Sequence, residues 1–110
     1  MTTIEKFVTA KARQLANYVR AYLDYKIPYT ELELFFWDTM EEWAQIRQEI
    51  ELPYCNNEKL FWHLMHQIHF WPQHCLQNDV YLRGELENCV EYLQGNHHYP
   101  FPIDCIGIRP

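Results

Sequence analysis

Glycine is scarce in this chain, with three residues in 110. Nearly half of the sequence is apolar and aromatics are abundant, which excludes a disordered or low-complexity chain. No run approaches the roughly 20 apolar residues that cross a bilayer, so no membrane partner is expected. The opening stretch MTTIEKFVTAKARQL has no apolar run followed by small residues, so a signal peptide is not expected and the cytoplasm is the expected compartment. Cys55, Cys75, Cys89 and Cys105 form no CxxC pair, which favours free thiols over a structural zinc site. There is no HExxH, no GxSxG, no phosphate-cradling glycine loop and no dinucleotide fingerprint. No catalytic residue stands out, and the expectation is a protein that is not an enzyme.

Basic residues are also few, and they are unevenly spread. Residues 1–26 carry five basic against two acidic side chains, whereas residues 27–110 carry four against thirteen. Direct nucleic-acid binding needs clustered Lys and Arg, so it is not expected here. A chain with net charge −6 is suited instead to meeting a basic protein through steered association.

What is present is helical periodicity over a length that suits one domain. Apolar residues recur at Ile4, Phe7, Val8, Leu15, Val19, Tyr22 and Leu23, predicting a helix over 3–25 that Ile27-Pro28 ends. Thr30 followed by Glu33 reads as a capping box, with Tyr29 and Leu34 as the staple, opening a helix over 31–50. Asn56 or Asn57 is the expected cap of a helix over 58–71, which Pro72 closes. QHCLQ reads as a connection. Asn78 or Asp79 should cap a helix over 80–94, stopped by Gly95 and Asn96. Gly84 inside it should cost about 1 kcal/mol against alanine and would permit a neighbouring helix to approach closely. Residues 96–110 hold three prolines yet carry Tyr99, Phe101, Ile103 and Ile106, so an extended segment packed on the helices is expected. Short connections favour antiparallel neighbours, and the fold class expected is all-α, a small antiparallel four-helix bundle.

The stretch HLMHQIHFWPQHC, His63 to Cys75, holds four of the six histidines. With His63 at 0° and about 100° per residue, Leu60, Phe61, Leu64, Met65 and Ile68 fall on one arc. Trp62, His66, His69 and Phe70 fall off it, which predicts an aromatic and histidine face for contact within the chain or with a partner. Metal pairs on helices are usually spaced i, i+4, and here the spacing is i, i+3, i+6. The competing expectation is nevertheless a metal-binding or metal-responsive protein. It would use His63, His66, His69, His74 and Cys75 to hold zinc or another transition metal.

LFFWDTMEEW is too apolar on too many sides for an exposed helix. Phe35, Phe36 and Trp37 span about 200°, so Phe36 or Trp37 needs cover from the C-terminal segment or from a second copy in a homodimer. Asp38, Glu41, Glu42 and Glu49 make the candidate acidic face.

The stretches YLDYKIPYTELELFFW and LRGELENCVEYL, together about a quarter of the chain, resemble the small helical immunity proteins of the colicin D type. That resemblance implies a short all-helical chain that neutralises a toxin nuclease by offering carboxylates to a basic, nucleic-acid-binding cleft. Asp38, Glu41, Glu42 and Glu49 would be the residues so used. The resulting expectation is a non-enzymatic protein-binding module with no cofactor.

Overall fold

The computed structural model describes residues 3–46, 53–96 and 107–110. The described residues contain five helices and no strand: α1 Thr3–Leu23, α2 Tyr29–Ile46, α3 Asn56–Phe70, α4 Gln73–Asn78 and α5 Val80–Leu93. The protein is all-α, and none of these helices is long and apolar enough to cross a membrane. The expected reach of α2 to residue 50, Glu49 with it, lies outside the described residues, as do residues 97–106 of the C-terminal stretch.

The helix ends follow backbone chemistry more closely than side-chain signals. α1 stops earlier than expected, at Leu23. The Lys26 N–H reaches the Ala21 carbonyl at 2.8 Å and the Tyr25 N–H reaches that of Tyr22 at 3.1 Å. This is a Schellman closure with Tyr25, at φ 61°, in the left-handed position normally given to glycine. α5 ends in the same closure with Gly95 at φ 89°, as the sequence suggests. Its start is also as read, since Asp79 Oδ1 accepts from the Leu82 N–H at 2.8 Å.

Five local expectations are corrected. Thr30 does not cap α2, because Tyr29 is already helical. Leu34 points outward at 56% exposure, and Tyr29 packs instead on Tyr22 with ring centroids 5.9 Å apart, so the staple does not form. α3 is capped by Cys55 rather than by asparagine: its Sγ accepts from the Glu58 N–H at 3.4 Å. QHCLQ is helical rather than a connection. Pro72 (φ −60°) leads into its first turn, and Leu76 is fully buried. Gly84 has open space around its Cα, so it serves no close helix approach.

α1 lies at the centre and touches α2, α3 and α5; α5 also touches α3 and α4. Its buried residues, Ile4 through Leu23 at helical spacing, include the small Ala12 and Ala16 beside Leu15 and Val19. Around it close Leu32, Trp43, Leu60, Phe61, Trp62, Leu64, Leu86 and Val90, all nearly inaccessible to solvent. Each such side chain contributes about 1.5–3 kcal/mol on burial. Tyr22 ties α4 to the end of α1: its hydroxyl donates to the Gln73 carbonyl at 3.1 Å, and its own carbonyl accepts from Gln77 Nε2 at 2.9 Å.

Residues 107–110 lie against the start of α3. The Gly107 N–H donates to the Lys59 carbonyl at 2.9 Å. A Cβ at Gly107 would sit 2.1 Å from the backbone nitrogen of His63, so only glycine permits this approach. Arg109 then forms a two-pronged pair with Glu58, Nη2 to Oε1 at 2.8 Å, with the two side chains 5% and 4% exposed. The same arginine lies over the Tyr54 ring at 4.1 Å, and its N–H donates to the Tyr54 hydroxyl at 2.9 Å.

A candidate acidic and aromatic contact surface

α2 turns Glu31, Glu33, Leu34, Trp37, Asp38, Glu41 and Glu42 toward solvent. These positions recur every three to four residues opposite Leu32, Phe35, Phe36, Thr39 and Trp43, which face the core. Trp37 is 53% exposed, so the apolar run is only partly covered. Of the acidic face expected from sequence, Glu42 is partly neutralised by Lys11, whose Nζ is 2.8 Å from its Oε2. Asp38 and Glu41 form no ion pair with another described residue. Glu49 lies outside the described residues.

The face read for Trp62, His66, His69 and Phe70 is used mostly within the chain, each residue on a different neighbour, and only Phe70 is left without a partner element among the described residues. Trp62 is fully buried. Its ring packs 4.8 Å from Trp43 and 4.6 Å from Phe61, and its Nε1 donates to Glu58 Oε2 at 3.0 Å. A helical wheel places it correctly in angle, yet α2 and residues 107–110 close over that side. His66 donates from Nε2 to the Ile108 carbonyl at 3.2 Å. Phe70 is exposed, edge-on to Trp71 at 5.0 Å.

The histidines are directed to three different neighbours. His63 Nε2 lies 2.7 Å from Glu85 Oε1 on α5, His66 meets the C-terminal segment, and His69 meets α2. His74 is exposed on α4 and Cys75 half-buried. Among the described residues no three His, Cys, Asp or Glu side chains gather where they could hold a metal ion.

What the sequence reading missed lies where the start of α2 meets the end of α3. The His69 ring stacks on Phe36 with centroids 4.8 Å apart and planes within 2°, and Trp37 stands edge-on to it at 5.4 Å. Beside these rings is a cavity of about 150 Å³, lined by Tyr29, Glu33, Phe36 and Trp37 from α2 and by Ile68 and His69 from α3. The Ile68 carbonyl would ordinarily bond the N–H four residues on, but that residue is Pro72, which has none. Tyr29 supplies a hydroxyl donor instead, at 3.4 Å. Burial, and then the negative charge of Glu33, pushes the Tyr29 hydroxyl pKa up. The one sequence signal was Pro72 itself, which leaves the Ile68 carbonyl without its helical donor.

Compared with known proteins, the chain matches no family model, no curated protein and no solved structure. The surface chemistry must therefore be argued from the residues. It offers carboxylates, aromatic rings and a helix C-terminus together, and all three favour a positively charged partner.

Proposed function

We propose that this chain is a non-enzymatic, cytoplasmic protein-binding module that offers the exposed side of α2 to a basic protein. The observation that carries the reading is Trp37, half exposed and adjacent in sequence to Asp38, which pairs with no other described residue, with Glu41 one turn further along. Tryptophan is among the residues enriched in binding hot spots, and interface rims are polar. The sharpest form of the proposal is inhibition of a basic toxin nuclease, in the manner implied by the resemblance to small helical immunity proteins. The helices would then act as an antiparallel bundle that holds α2 rigidly. Tyr29 facing Ile68 and Trp43 facing Trp62 are the contacts that support this arrangement.

A second copy of the chain is a poorer occupant of the same face. Two-fold pairing through α2 would bring Glu33, Asp38 and Glu41 of both copies together, and like charges across an interface cost several kcal/mol.

The test is titration calorimetry against the purified product of the neighbouring gene. The unmodified chain is expected to bind, and the double variant Asp38→Lys/Glu41→Lys to bind about 100-fold more weakly. His66→Ala, on another side of α3, is expected to bind as the unmodified chain does. Binding untouched by charge reversal, or none by the unmodified chain, would overturn the reading.

A further inference from the structure

We infer that the cavity between the start of α2 and the end of α3 receives the guanidinium head of an arginine from a basic polypeptide partner. The inference rests on the α2-face reading for the identity of the partner and on the cavity's own chemistry for the arginine. A space of about 150 Å³ accepts a group of benzene size, and a guanidinium is smaller than that. The walls supply aromatic rings from Tyr29, Phe36, Trp37 and His69, and cations bind against such rings.

Two further features set the sign of the charge. Glu33 lines the cavity and is the carboxylate close enough to raise the Tyr29 hydroxyl pKa. The last turn of α3 ends there, and its carbonyls carry the negative end of the helix dipole. Ile68 has one lone pair engaged by the long Tyr29 bond and one left for a donor. The positive end of α2 lies nearby and opposes this field, and the Glu33 charge offsets it.

Arginine fits better than lysine. Its flat head stacks on rings, is more weakly hydrated and carries several donors in one plane, for the Ile68 carbonyl and the Glu33 carboxylate together. Lysine would place a strongly hydrated point charge in a space with few waters to replace its shell.

The probe is a short peptide, acetyl-Gly-Arg-Gly-amide, set beside its neutral citrulline counterpart of nearly the same shape. Binding is read from the indole N–H resonances in a nitrogen-15 spectrum, with Trp37→Phe assigning the Trp37 signal. A saturable shift of the Trp37 indole with the arginine peptide, and none with citrulline, is expected. Glu33→Gln should weaken binding about tenfold by the indole signal, and Trp37→Ala about tenfold by the backbone amide shifts of the other cavity residues. Both residues are exposed, so the variants should keep the circular dichroism of the parent. Equal shifts with citrulline, or binding untouched in Glu33→Gln, would overturn the inference. The two readings fail separately. If Asp38→Lys/Glu41→Lys destroys partner binding while the arginine peptide gives no saturable shift, the face stands and the cavity falls. If the peptide binds and charge reversal leaves partner binding intact, the face falls.

Discussion

The two ends of α3 solve the same problem in opposite ways. At its start, residues 107–110 return from far along the chain, seal Glu58 with Arg109 and leave the pair nearly inaccessible. At its finish, Pro72 removes a backbone donor, a single tyrosine hydroxyl caps one carbonyl, and His69, Phe70 and Trp71 remain at the surface. One end uses its polar groups to fix the fold. The other leaves carbonyls, rings and a carboxylate in reach of a visitor. The contrast shows that the histidine-rich stretch owes its interest less to its histidines than to where its helix stops.

The strongest break in that contrast is Arg109→Ala. It leaves Glu58 buried without its partner and should cost about 3–5 kcal/mol, measured by urea unfolding. Gly107→Ala attacks the same end through shape. Its methyl must displace backbone or lift the segment off α3, a loss of about 1–3 kcal/mol that should also speed amide exchange at Gly107.

Alkali should loosen the opposite end. Burial raises the Tyr22 pKa to about 12, with Tyr29 and Tyr25 adding to it. The folded state therefore holds this proton more tightly than the unfolded chain. The stability so gained is complete below the unfolded value near 10 and is lost as pH rises through about 12. Its size is of order 2 kcal/mol. The unfolding free energy from urea titrations should fall in that window, and Tyr22→Phe should remove most of the fall. Tyr29→Phe frees the Ile68 carbonyl and should cost about 1 kcal/mol. Trp37→Ala should change stability by less than about 0.5 kcal/mol, because the side chain is half exposed; a larger loss would mean the open end is structural after all.

Much of this fold can be read locally. The stops at Pro72 and Gly95, the Asp79 cap and the four longer helices all follow from neighbours within a few residues. α4 escaped because six residues are too few to display a period. Tyr25 escaped because a bulky residue in the left-handed region is a poor prior, although the Arg83 guanidinium lies 5.6 Å over its ring. For the surface, the exposure of Asp38 and Glu41 was legible from the wheel, whereas the Lys11 pairing of Glu42 required knowing which helix lies alongside. The wheel sets Trp62 on a contact face without saying what covers it, because part of its cover returns from 107–110. A contact with that much intervening sequence leaves no local pattern.

The Glu58–Arg109 closure links positions 51 apart in sequence. Contacts at such separation tend to form after the rate-limiting barrier, once the helices have assembled. Breaking this one should therefore hasten unfolding by nearly the whole of its equilibrium cost and leave the folding rate almost unchanged. The final residues of the segment would then govern how long a folded molecule lasts rather than how quickly one is made.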